Sequence, residues 1–280
     1  EDNRDDLGCV KRMFIVIHDI ISQVNTVDYI QKAKDIGIIR IILGWHITDS
    51  SETKLVFLRL FRDLGVRVMQ LTYNTQNLVG SGCWESEDRG LSDYGRDVID
   101  MMNELGITID LSHVGEQTAR DAIEHSSKPV SFTHVAPRGL HNNPRNKSDA
   151  LLKFGADNGA FIGASTYPPF LPSGNDTTVA DCVHAFDYMI DLVGEDTVGI
   201  GTDFTEGHGE DFFSWLRSDK GYGRALTKGF PGLPPNPIGF DGPAEYPTFI
   251  AALVDAGLPD NKLPKLIREQ PSRVLRSSLS

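Results

Sequence analysis

The chain has 280 residues, 40% of them hydrophobic, and its 27 Lys and Arg against 39 Asp and Glu give a formal net charge of -12 and an isoelectric point near 5.1. That apolar content suffices for the packed core of one large α/β domain or two small ones, and the acidic balance argues against nucleic acid or an anionic membrane surface, since either needs a basic face. Cys9, Cys83 and Cys182 form no CxxC pair, which excludes a cysteine zinc cluster or a disulfide framework, and no apolar run of about 18 residues offers a transmembrane helix; compartment stays open.

Along the chain, apolar β-branched runs recur at MFIVIH (13–18), IRIILGW (39–45), VRVMQLTY (66–73), ITIDLSH (107–113), PVSFTH (129–134), GAFIGAS (159–165) and TVGIGTDF (197–204). Runs this short and apolar predict buried parallel strands. Between them TKLVFLRLFRDLG, YGRDVIDMMNELG, GEQTARDAIEHSS and VADCVHAFDYMIDLVG carry amphipathic helical patterns, several ending in a glycine suited to a C-cap. Alternating strands and helices without a glycine-rich dinucleotide fingerprint predict one α/β domain over residues 1–280, a (β/α)8 TIM barrel rather than a doubly wound sheet. Seven strands are read where a closed barrel needs eight. The stretch ahead of MFIVIH, EDNRDDLGCVKR, is too short and too charged for a strand with its helix, so the first βα unit is expected to be missing from these residues. Residues 205–247, rich in Gly and Pro, predict a long loop at the C-terminal face, ahead of a helix at FIAALVDAGL and a tail helix at LPKLIREQ. Asn146 (NKS) and Asn175 (NDT) fit the glycosylation sequon, a pattern frequent by chance.

In a barrel the carboxyl ends of the strands converge on one mouth. His113, His134 and Asp203 each end a strand run, and so are expected to meet there. Imidazole nitrogens suit zinc, and a nearby carboxylate either completes the shell or takes a proton from water. One such histidine alone reads as a hydrogen-bonded turn residue; three strand-end groups of this kind reverse that preference. His46, just after IRIILGW, is a further candidate ligand or a turn partner. His18 ends the first run without an assignable partner, His125 and His184 fall in helical patterns as surface or packing residues, and His141 and His208 carry no spacing argument. Arg145, in the loop after His134, offers its planar fork to a substrate carboxylate, or else pairs with Asp149 or a helix end.

The stretches LGVRVMQLTYN, LSDYGRDVIDMMNELGITIDLSHV, PVSFTHVAPRGLHNNPRN and VGIGTDF resemble the membrane (renal) dipeptidases, peptidase family M19, over roughly residues 36–275. The resemblance implies a (β/α)8 barrel of the amidohydrolase superfamily that binds zinc and cleaves dipeptides, with some members also hydrolysing β-lactams. It implies that His113 of DLSHV and His134 of SFTHV are zinc ligands, that Arg145 receives the substrate carboxylate, and that Asp203 of GTDF is the catalytic aspartate of the family's GGDFDG. Other positions depart from the family. Its bridging glutamate falls on His46 in LGWHITD, and the histidine of its LTHN stretch falls on Tyr73 in LTYN. Its strand-one HxD motif has no counterpart, since IHDI at 17–20 aligns with strand two. These losses leave one zinc ion on His113 and His134, with His46, as the expectation in place of two.

The reading is therefore a divergent zinc-dependent, dipeptidase-like amidohydrolase acting on an amide of a small carboxylate-bearing substrate, with Asp203 as base and Arg145, Tyr73 and Tyr167 as substrate contacts. Activity on ordinary dipeptides is expected to be weak. A catalytically silent barrel used for binding or assembly, and a non-hydrolytic enzyme reusing the same mouth, are the alternatives. The implied partner is a small molecule or dipeptide, with no nucleic acid and no transmembrane segment; a homodimer is open.

Overall fold

Residues 3–26, 37–46, 48, 54–205, 207–218, 233–259, 262–263, 266 and 270–279 are described in the computed structural model of the chain. The elements in chain order are α1 (Asn3–Val16), β1 (Ile21–Gln23), β2 (Ile39–Ile41), β3 (Leu43–Trp45), α2 (Val56–Asp63), β4 (Val66–Gln70), α3 (Asp93–Leu105), β5 (Thr108–Asp110) and α4 (Glu116–His125). There follow β6 (Ser131–Val135), α5 (Asp149–Asp157), β7 (Phe161–Ala164), α6 (Val179–Val193), β8 (Val198–Ile200), α7 (Glu210–Arg217), α8 (Tyr246–Asp255) and α9 (Gln270–Leu279). The chain divides into two compact units: Glu1–Ser131 with Asn158–Ala160 and Pro271–Ser280, and Phe132–Asp157 with Phe161–Gln270.

In the first unit β1 lies parallel to β2, with Ile21 opposite Ile39, and β3, β4 and β5 pair in parallel succession, with Gln70 opposite Asp110 and Asp110 opposite Ser131. Val66, Met69, Ile109 and Leu111 are buried, as expected of strands covered on both faces. Helix α3 starts at Ser92, whose hydroxyl accepts from the Gly95 N–H at 2.9 Å, and buries Val98, Ile99 and Met102 along one stripe. The run MFIVIH is not a strand: Met13–Val16 close α1, and residues 17–20 form the turn into β1. Four consecutive apolar residues satisfy either element, and with Met13, Ile15 and Val16 48%, 74% and 70% exposed there is no burial to favour the strand. His18 accordingly sits in that turn, its Nε2 3.2 Å from Asp19. IRIILGW holds two strands rather than one, with a register shift against β4 between Leu43 and Gly44.

In the second unit β7 and β8 are parallel, with Ile162 opposite Val198, and the Ser165 N–H donates to the Val135 carbonyl at 2.9 Å. Gly163 and Gly201 pack directly on the Thr133 carbonyl: a Cβ at either would come within 2.0 and 2.1 Å of that oxygen. Only glycine allows these strands to close around the residue preceding His134. Helix α6 opens with a capping box between Thr178 and Asp181 and buries Cys182, Ala185, Phe186 and Met189, the i, i+3, i+4, i+7 stripe of a core-facing helix. Phe249 of α8 meets Phe186 edge-on at 6.2 Å and stacks on Phe240 at 4.9 Å.

Two further expectations change. The stretch 205–247 is not wholly loop, since Glu210–Arg217 form α7, and the helix α5 at DALLKFGAD was not among the helices read. The tail helix at LPKLIREQ lies mostly outside the described residues; α9 follows it. All three cysteines are free thiols, and among the described residues no helix is long and apolar enough to cross a membrane. Asn146, one of the two sequon asparagines, is fully buried with its amide nitrogen donating to the His141 and Phe170 carbonyls, whereas Asn175 is exposed.

Candidate active site

The candidate residues fall into two groups, one within each unit. In the first unit, β5 ends at Asp110, whose carboxylate accepts from the Ser112 N–H at 3.1 Å and hydroxyl at 2.6 Å. This side-chain turn ends the strand and delivers His113 just beyond it. The His113 carbonyl accepts from the Cys83 N–H at 3.0 Å. Its ring is 4.1 Å from that of Tyr73 in a stacked arrangement, and its Nδ1 is 2.7 Å from Asn74 Oδ1. His46 stacks on Tyr73 from a centroid distance of 5.8 Å and stands 6.3 Å from the His113 ring. The structure thus assembles His46, Tyr73 and His113, the three residues expected here, and places Tyr73 against the imidazole face of His113.

In the second unit His134 occupies the penultimate position of β6. Its Nδ1 lies 2.7 Å from the Thr133 hydroxyl, its Nε2 lies 3.9 Å from Asp203 Oδ1, and its carbonyl accepts from the Arg145 guanidinium at 2.9 Å. Asp203 follows β8 with a backbone φ of 61°. A left-handed conformation is costly for most residues and tolerated by Asp and Asn. The neighbouring Thr202 carbonyl accepts from the Thr166 hydroxyl at 3.3 Å. Tyr246, whose hydroxyl is pushed above its ordinary value by burial and partly drawn back by a hydrogen bond to Thr202, packs on the same turn.

Arg145 is 1% exposed. Its backbone N–H donates to Asn143 Oδ1 at 2.9 Å and its guanidinium lies 5.0 Å from the centre of the Phe170 ring. Tyr167 meets Phe170 edge-on at 4.8 Å, so Phe170 joins the two expected substrate contacts. Asp149, the alternative partner considered for Arg145, instead accepts from the Gly139 N–H and the Tyr188 hydroxyl, the latter raising the tyrosine above its ordinary value. Phe170, Asn74 and Cys83 were not singled out from sequence. The signal for Asn74 was the residue type, since asparagine after a strand tolerates positive φ; PPF carried none.

The two histidines share a feature that suits a metal ligand: each has its Nδ1 taken by a polar oxygen, Asn74 Oδ1 for His113 and the Thr133 hydroxyl for His134. For His113, whose partner oxygen can only accept, such a bond directs the imidazole lone pair to Nε2, the nitrogen that would coordinate; the Thr133 hydroxyl both donates and accepts and fixes no tautomer on His134. Singly, therefore, the His113 imidazole fits zinc. Among the described residues no group of three or more His, Cys, Asp or Glu side chains is placed to hold an ion.

Comparison with known proteins places the chain among relatives. A family model described as membrane dipeptidase (peptidase family M19) matches residues 2–222. An uncharacterized dipeptidase of Schizosaccharomyces pombe is 28% identical over 261 residues, 91% of this chain and 56% of the relative, and the dipeptidase tcpJ of Claviceps purpurea is 29% identical over 238 residues, 83% and 49% of the two chains. The chain spans about half the length of the curated relatives it matches. Among solved structures, an amidohydrolase from Pseudomonas aeruginosa superposes with a TM-score of 0.94 at 42% identity, covering 98% of this chain and 84% of the other. The fold class is thus the α/β, (β/α)8-barrel class expected from the strand and helix order.

Proposed function

The chain belongs to the membrane dipeptidase family, peptidase family M19, and from that premise we propose that it is a zinc-dependent hydrolase cleaving the amide bond of a small, carboxylate-bearing substrate of the dipeptide class. The observation that carries this reading is Asp203, held in a left-handed conformation with its carboxylate 3.9 Å from His134 Nε2. Non-glycine residues kept in such a conformation concentrate at functional sites. Asp203 is the base. It takes a proton from the attacking water as the water oxygen bonds to the carbonyl carbon, and the proton passes to the amide nitrogen as the carbon–nitrogen bond breaks.

For zinc, the proposed donors are taken singly: His113, whose Nδ1 is engaged by Asn74 Oδ1, and His134; what supports this is the chemistry of each imidazole by itself. When bound, the ion supplies Lewis acidity toward the scissile carbonyl. Arg145 holds the substrate carboxylate, and Tyr167, packed on Phe170 beside the guanidinium, contacts the substrate. Steady-state hydrolysis of a dipeptide panel, each member paired with its C-terminal amide, tests the reading. Zinc-restorable cleavage of the free acids over the amides supports it; equal inertness of both, with zinc loaded, sinks it.

A second reading, a binding protein on a silent barrel, is favoured by one observation. His46 and Tyr73 stand where the family's pattern has a glutamate and a histidine, and no three-ligand group occurs among the described residues. Dipeptide binding without turnover would select that reading.

A further inference from the structure

We infer that Asn74 is a positioning residue for His113: its side-chain oxygen locks the imidazole in the Nδ1–H form and so turns Nε2 into the donor nitrogen. The inference rests on the proposed zinc-hydrolase reading for its purpose, though not for its geometry. Asn74 Oδ1 is 2.7 Å from His113 Nδ1 and accepts from the Cys83 thiol at 3.5 Å. An oxygen that takes both contacts can only accept, so the proton between it and the ring belongs to His113. Tyr73, stacked at 4.1 Å, covers the ring face, while Asn74 fixes its edge; together they leave the imidazole little rotational freedom.

The backbone is built to hold the amide there. Among the described residues the non-glycine positions with left-handed φ are Asn74, at 63°, and Asp203; the second of these is the proposed base. Strain of this kind costs on the order of 1–3 kcal/mol and persists only where the surroundings enforce it. Here they do. The Asn74 carbonyl accepts from the Trp84 N–H at 2.8 Å, and Gly82 lies so close that a Cβ on it would come within 2.1 Å of the Asn74 carbonyl carbon. Asn77 pins the start of the same loop. Its amide nitrogen donates to the Leu71 carbonyl at 2.8 Å, and its oxygen accepts from the Val79 N–H at 2.8 Å. The loop from 74 to 84 therefore holds the Asn74 amide against the imidazole.

Two variants separate this role from a merely structural one. Asn74→Gly accepts the left-handed backbone and deletes the amide; Asn74→Asp keeps both the backbone tolerance and an acceptor oxygen. The readout is side-chain nitrogen NMR of His113 in the metal-free 280-residue chain, about two pH units above the ordinary imidazole value so that the ring is neutral, with the resonances assigned by comparison with His113→Gln. The unmodified chain and Asn74→Asp should carry the proton on Nδ1, and Asn74→Gly should move it toward Nε2. Zinc affinity should fall about 10–100-fold in Asn74→Gly, the usual effect of losing a ligand's orienting partner, and recover in Asn74→Asp. An Nε2–H imidazole in the unmodified chain, or a tautomer indifferent to Asn74→Gly, overturns the inference. Should the unmodified chain bind no zinc, the zinc-hydrolase reading fails, and the tautomer comparison alone decides the role of Asn74.

Discussion

Asp203 couples an unusual backbone to a reactive side chain, and the two are separable by substitution. Asn tolerates the same left-handed φ but cannot accept the proton, so Asp203→Asn should leave thermal unfolding unchanged while lowering kcat by about 10²–10⁴-fold with little change in KM. A kcat within about twofold of the unmodified chain would remove the base assignment. Arg145 has two tasks in this account. It donates to the His134 carbonyl from a buried position, so Arg145→Met strips a charged hydrogen bond and should cost about 1.5–3 kcal/mol in urea unfolding. It should also raise KM for free-acid substrates; an unchanged KM with lowered stability would leave Arg145 as an anchor of the strand end and no more.

Among the elements, α6 offers the clearest test of local stability. The Thr178 hydroxyl and N–H both donate to the Asp181 carboxylate, at 2.6 and 2.7 Å, and these bonds hold Asp181 below the usual carboxylate value. A depressed folded-state value means that the contribution is complete above the unfolded carboxylate value of about 3.9 and is lost as pH falls through the folded one. Asp181→Ala should therefore cost about 1 kcal/mol at neutral pH, and the gap to the unmodified chain should close under acid conditions. A gap that persists at low pH would assign the effect to packing instead of charge. Strands β4 to β8 were legible because buried parallel strands have to be short, apolar and β-branched; their ends were read as candidate site positions because the chain leaves each one into a loop. The first strand was misplaced because MFIV carries no period that separates helix from strand, and the break in IRIILGW went unread because a change of pairing partner, β1 for β2 and β4 for β3, leaves no mark on composition. Asn74 and Phe170 escaped for a related reason: their roles come from loop backbone and ring placement, which residue types alone do not encode.

At the level of the whole chain, the acidic balance and the three free thiols give a check on packing that is independent of activity. Burial pushes the Cys182 thiol up to about 12, so alkylation of the folded protein near neutral pH should spare Cys182 and modify the exposed Cys9. Fast labelling of Cys182 without denaturant would contradict the described core of the second unit. The fold class followed from the alternation of elements, and the family from the residues around His113, His134, Arg145 and Asp203. Zinc itself was not legible to the same degree, because His46 and Tyr73 replace residue types that would have fixed the number of ions. Elemental analysis of the purified 280-residue chain after mild dialysis addresses that directly. The account predicts one equivalent of zinc per chain, lost in His113→Ala; no zinc, two equivalents, or one that survives the substitution would contradict it.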